Sequence, residues 1–161
     1  MKYVLSLTCL ILISVYSCKT KSATTTNIFT KGDLEKLRWI EGNWKGMDGT
    51  APFYEIYKII NDSTLEITSY EWNGSDSSKT SKAYIAWRQN HYFLGDSLNW
   101  RASVITRNSV FLIPNYKATN SILWQKKNQN NWEAVLTSSK GVKNYPMERV
   151  AHFTAVDKKV N

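Results

Sequence analysis

The chain has 161 residues, with 21 Lys and Arg against 13 Asp and Glu and a formal charge of +8, which is room for one ordinary domain. Its basic side chains are scattered, the densest pairs being Lys126-Lys127 and Lys158-Lys159, so there is no groove-sized patch and nucleic acid is not an expected partner. The two cysteines, Cys9 and Cys18, both lie close to the N-terminus, so the domain beyond them has no internal disulfide and must stand on its apolar core.

Met1 and Lys2 form a short positive start, and an uncharged, largely apolar run follows from Tyr3 to Tyr16. That is the length of a signal-peptide core and falls short of the ~20 residues a transmembrane helix needs. The run ends Val15-Tyr16-Ser17-Cys18 and is followed by polar Lys19-Thr20-Lys21-Ser22. A small residue directly before cysteine resembles the lipobox of bacterial lipoproteins. It implies that residues 1–17 are a signal peptide and that Cys18 is the lipidated first residue of the mature chain. Cleavage would remove one positive charge, Lys2, leaving +7. Several acyl chains on one cysteine add their CH₂ contributions and hold firmly where one chain would not. The membrane is thus an expected partner, through the lipid anchor. The expected location is the cell envelope, with Lys19 favouring the outer membrane facing the periplasm by the same resemblance. The rest of 18–32 is rich in Thr, Ser and Lys and reads as a flexible tether.

The domain is expected over 33–156, with 157–161 as a C-terminal tail. Gly32 to Leu37 reads as a short helical turn with Asp33 as a candidate cap. Valine, isoleucine, threonine and aromatics then alternate in short runs, at 39–46, 53–60, 64–72, 81–88, 91–95, 99–107, 109–113, 121–128, 131–138 and 147–156. Asn61-Asp62-Ser63, Asn73-Gly74-Ser75-Asp76 and Asn128-Gln129-Asn130-Asn131 are turn signals between runs, and Ser75 to Ser81 reads as a low-complexity loop. The three prolines, Pro52, Pro114 and Pro146, are expected at turns or strand edges. The pattern predicts an all-β domain, a single antiparallel up-and-down barrel of about 8–10 strands. A β-sandwich is the alternative, but it usually needs longer crossovers than this chain offers.

Leu37-Arg38-Trp39-Ile40-Glu41-Gly42-Asn43-Trp44-Lys45-Gly46 contains the Gly-x-Trp element that opens the first strand of lipocalin-like (calycin) barrels. The stretch resembles the start of small lipocalin-like bacterial domains of unknown function. Tyr54-Glu55-Ile56-Tyr57, Phe111-Leu112-Ile113-Pro114-Asn115 with Ile122-Leu123-Trp124, and Glu148-Arg149 follow that pattern in order. The resemblance implies structural roles for three residues. Gly42 permits a sharp, close approach, Trp44 plugs the closed end of the barrel, and Arg149 lies over the indole as a cation–π partner.

The sequence shows no Gly-x-Ser-x-Gly, no His-Glu-x-x-His and no Cys/His cluster with metal spacing, so neither an enzyme nor a metal or other cofactor is expected. Gly42 to Gly49 is also similar to the start of nitrobindin-type haem barrels, with His152 in a comparable late position. Alternation, however, sends His152 to solvent if Arg149 faces the interior. The expected activity is non-covalent binding of a small, partly apolar molecule. Phe53, Glu55, Tyr57 and Ile59 share one face of a strand, and if that face is internal Glu55 needs a partner such as Arg101 or Arg149. Trp87 and Trp100 would supply walls, so the candidate ligand-binding set is Glu55, Tyr57, Trp87, Trp100 and Arg101. A barrel filled by its own aromatics, acting as an envelope interaction or structural protein, is the competing reading. A carboxylate enzyme built on Glu55 is a third.

Overall fold

A computed structural model of the protein describes residues 28–72, 77–152 and 155–156. The expected signal peptide 1–17, Cys18, most of the expected tether and the expected tail 157–161 lie outside the described residues.

The chain enters through a 3-10 helix, Lys31–Ile40. Leu34, Leu37 and Ile40 are spaced by three, and in a helix with 3.0 residues per turn that spacing stacks them on one line. All three are buried. The cap is Thr30 and not Asp33. Asp33 occupies the third helical position, and its carboxylate accepts the Thr30 N–H at 2.7 Å, half of a capping box.

The ordered domain also begins before residue 33. Phe29 is buried, its N–H donates to the Asn90 carbonyl at 3.1 Å, and its ring meets Tyr92 edge-on at 6.2 Å. One large apolar side chain is enough to dock the last residues of the expected tether against the domain. Tyr92 donates its hydroxyl to the Lys31 carbonyl at 2.6 Å, and burial pushes that hydroxyl up to about 12.

Ten strands follow: β1 Gly42–Asp48, β2 Ala51–Asn61, β3 Thr64–Trp72, β4 Ser77–Arg88, β5 His91–Leu94, β6 Trp100–Ile105, β7 Ser109–Pro114, β8 Ser121–Lys126, β9 Asn131–Ser138 and β10 Gly141–Arg149. Each pairs antiparallel with the next, and β10 returns to β1 in the register Trp44↔Arg149, Lys45↔Glu148, Gly46↔Met147. The result is a closed up-and-down barrel of ten strands. Closure gives the first and last strands a partner and leaves few edges bare. A short β11, Ala155–Val156, adds parallel to the start of β4 at Ser77 and Ser78.

Besides the first strand, which begins at Gly42 and not at 39 because the 3-10 helix runs on through Ile40, two elements differ from the sequence expectation. The final barrel strand is Gly141–Arg149 and not 147–156. Gly141, at φ +125°, follows the Ser139-Lys140 turn and lets β10 start immediately after β9. From Gly141 to Asn144 the strand pairs only with β9 and is exposed, so it has no apolar alternation to reveal it. Pro146 sits inside it, one residue past the last β1 pairing, where the ladder has a neighbour on one side only. The second difference is β4, which begins at Ser77 within the expected loop Ser75 to Ser81. Its Ser- and Thr-rich start is held by pairing to Glu71 and Trp72 of β3.

The core occupies the half of the barrel nearest the 3-10 helix. Trp44 is 1% exposed and its indole N–H donates to the Ile40 carbonyl at 2.6 Å. The Arg149 guanidinium lies 4.2 Å from the Trp44 ring centre and donates to the carbonyls of Glu41 (2.7 Å), Trp39 (3.1 Å) and Gln129 (3.1 Å). Gly42 has φ +123°, and a Cβ there would overlap the Arg149 Nη1 atom. Backbone conformation and space therefore both require glycine. The helix, Trp44 and Arg149 together close this end.

Candidate functional site

The other half of the barrel is hollow. A cavity of about 680 Å³ rises from an aromatic floor to the end where β1 turns into β2 and β9 into β10. Tyr57, Trp124 and Trp132 make the floor, with Tyr57 edge-on to Trp124 (5.7 Å) and to Trp132 (5.6 Å). Trp132 in turn meets Trp44 at 6.0 Å and 85°, so the floor rests on the plug. Edge-to-face contacts of this kind hold rings in fixed orientations. Phe53 and Tyr145, themselves edge-on at 6.0 Å, form part of the wall, and the exposed Asp48, Ala51, Glu71 and Ser81 mark the mouth.

Short strands shape one side. β5 has four residues and pairs with β4 only from Ile85 onward, so the earlier part of β4 has no β5 neighbour. The cavity reaches Ser81 and Ala83 along that stretch.

The lumen-facing side of β2 carries Phe53, Glu55 and Tyr57, as period-two alternation requires. Glu55 is the deep charge of the cavity. Its Oε2 accepts the Tyr57 hydroxyl at 2.5 Å and its Oε1 accepts the Ser69 hydroxyl of β3 at 3.1 Å; Glu55 and Ser69 face each other in the β2–β3 register. Burial raises the Glu55 carboxyl above its ordinary value, and the two hydroxyl donors oppose that shift. Burial also pushes the Tyr57 hydroxyl well up, with the neighbouring Glu55 charge and hydrogen bond adding to it.

Among the described residues no lysine or arginine forms an ion pair with Glu55. The partner anticipated from the sequence is therefore not there. Arg149 is committed to the plugged end. Arg101 stands between Trp100 and Ala102, whose side chains join the core, so alternation turns it to the outer face.

Of the candidate ligand-binding set, the structure gathers Glu55 and Tyr57 in the cavity and places Trp87, Trp100 and Arg101 elsewhere. Trp87 belongs to the plugged half, its indole N–H reaching the Phe29 carbonyl at 3.5 Å and Lys31 lying over its ring at 5.5 Å. Trp100 packs against the core from the side, its N–H on the Asn120 carbonyl at 2.9 Å. Ser69, Trp124, Trp132 and Tyr145 are cavity residues that the sequence reading did not single out. Ser69 carried no readable signal: counted back from the Asp62-Ser63 hairpin, Tyr70 would oppose Glu55, and it is a bulge between Ile59 and Asn61 that shifts the register by one and brings Ser69 there.

Neither histidine lines the cavity; His152 is exposed, and His91 lies at the start of β5 with its ring against Phe93. The residues present do not fit a histidine-ligated haem. Among the described residues no group of three His, Cys, Asp or Glu side chains is placed to hold a metal ion, and no helix is long and apolar enough to cross a membrane.

No protein-family model and no curated protein matches the chain. Among solved structures, a redesigned beta barrel is similar at a TM-score of 0.38 and 9% identity, over 77% of this chain and 99% of that one. The fold is that of a closed antiparallel ten-strand barrel with one end plugged and the other open.

Proposed function

We propose that this protein is a lipid-anchored, lipocalin-like envelope protein that binds a small, partly apolar molecule in the open half of its barrel without covalent chemistry. The observation that carries the reading is the cavity, about 680 Å³ with an aromatic floor and a few fixed polar groups. That size and lining suit an organic ligand. Gly42, Trp44 and the overlying Arg149 support the lipocalin-like likeness at the plugged end. The hollow upper half favours this reading over a barrel filled by its own side chains.

The anchoring part rests on Val15-Tyr16-Ser17-Cys18, outside the described residues. Outer-membrane placement facing the periplasm rests on Lys19.

Native mass spectrometry of the protein purified from its own envelope tests the binding. A reproducible extra mass that is lost on denaturation is the expected result, and a bare polypeptide mass across growth conditions would return the weight to a filled-barrel interaction protein. Cys18→Ser tests the anchor. The variant should leave the membrane fraction, and unchanged fractionation would rule out lipidation at that residue.

A further inference from the structure

The cavity's charge is opposite to that of the chain around it. The sequence carries 21 Lys and Arg against 13 Asp and Glu, yet the cavity is lined by Asp48, Glu55 and Glu71 and, among the described residues, by no lysine or arginine. Asp48, at the mouth, is neutralised by Lys143 at 2.6 Å. Glu55, deeper in the barrel, has among the described residues only neutral partners, the hydroxyls of Tyr57 and Ser69, one on each oxygen. A carboxylate offers about four acceptor positions, so these two bonds leave others for a ligand. A charge desolvated among rings is costly until an opposite charge meets it. Among the described residues, a chain with so many cations has nonetheless put none against it.

We propose that the ligand is a protonated amine carrying an apolar body, its ammonium group seated on the Glu55 carboxylate and its apolar part on the Tyr57, Trp124 and Trp132 floor. This rests on the ligand-binding reading above and specifies its chemistry. The ammonium group supplies the missing counter-charge through charge-assisted hydrogen bonds, which are the strong ones. Aromatic faces close to the same point attract a cation through their quadrupoles, and they give an apolar body a surface on which to lose water. A ligand ending in a carboxylate would instead bring a like charge against Glu55, and a neutral alcohol would leave the glutamate without a counter-ion. The acids in a low-dielectric, narrow cavity also focus a potential that draws cations in against the positive exterior.

The test is calorimetric titration of the purified full-length protein at neutral pH with 4-phenylbutylamine, 4-phenylbutanol and 4-phenylbutanoate. These probes share a body and differ in the terminal group. The amine is expected to bind roughly tenfold or more tightly than the alcohol, the range of a hydrogen bond to a charged group, with the carboxylate weakest. Glu55→Gln should bring the amine down to the alcohol's affinity and leave the alcohol within about threefold of its wild-type value. The wild-type comparison decides the matter even if the variant folds poorly. An alcohol or carboxylate that binds as well as the amine would overturn the assignment of ligand class while leaving the cavity a binding site. No binding by any of the three, together with a bare mass in the native spectrum, would overturn both.

Discussion

Glu55 and Arg149 are charged side chains turned inward on neighbouring parts of the barrel, and the fold treats them differently. Arg149 is matched, its guanidinium spread over three backbone carbonyls and one indole face. Arg149→Lys cannot reproduce a planar fork, so carbonyls lose donors, and a loss of about 1–3 kcal/mol is expected in denaturant unfolding. Gly42→Ala should cost a similar ~1–3 kcal/mol, because it meets both a positive φ and the Arg149 head group. A neutral result for Gly42→Ala would mean that the Arg149 contact is not maintained in solution. Glu55 is unmatched and its carboxyl is raised by burial. The native state therefore holds this proton at pH values where the unfolded chain has already released it. In the window from the ordinary carboxylate range up to the raised native value, stability must fall as pH rises. Glu55→Gln removes that slope and should be the more stable protein above the window, measured as the urea midpoint against pH. Carbon-detected NMR of the Glu55 carboxyl should place its midpoint above the ordinary range, and a midpoint at or below it would show that solvent or a cation reaches the group.

At the scale of elements, the legible parts of the chain are those where local pattern and tertiary neighbours agree. β3 and β9 fall where they were expected, at 64–72 and 131–138, because apolar alternation along each is bounded by polar turn residues. The Phe53–Glu55–Tyr57 face was readable for the same reason. β10 was not, since its first residues project past β1 and bury nothing. The cavity itself was not legible. Whether inward aromatics fill a barrel depends on how deep each sits, and Trp87 and Trp100 sit beside or below the hollow, not around it. For Arg101 the information was present, because alternation assigns it and Trp100 to opposite faces and so forbids listing both as lumen residues. The 3-10 helix makes its own prediction. Leu37 is fully buried at its centre, with Leu34 and Ile40 one turn either side. Leu37→Ala should cost ~2–5 kcal/mol, the range for a buried leucine whose surroundings relax only in part. The same variant should expose the plugged end, raising amide exchange at Trp44 and Arg149 more than along β6 and β7. Uniform exchange across the barrel would argue that the helix is an ornament and the strands close without it.

For the whole molecule, the decisive pairing is the last one made. β1 and β10 lie at opposite ends of the domain sequence, yet they share the register that seats Trp44 beside Arg149. Without it β1 loses one ladder, β9 carries a strand with no far neighbour, and the Trp44–Trp132 contact beneath the cavity loses its support. Partial barrels should thus be poor states: the entropy of closing a long loop is spent only when the final ladder forms, and the stabilisation arrives at the same step. Folding is expected to be slow for the size, on the order of milliseconds to seconds, as for other folds dominated by non-local pairing. It should also be cooperative. Tryptophan fluorescence, which reports the floor and plug, and far-ultraviolet circular dichroism, which reports the strands, should give one coincident urea transition. Trp44→Ala should move both midpoints together, by ~3–5 kcal/mol of lost stability for a buried aromatic. If fluorescence shifted alone while the strand signal kept its wild-type midpoint, the plug would be a local decoration, and the barrel would be held closed by its ladders without it.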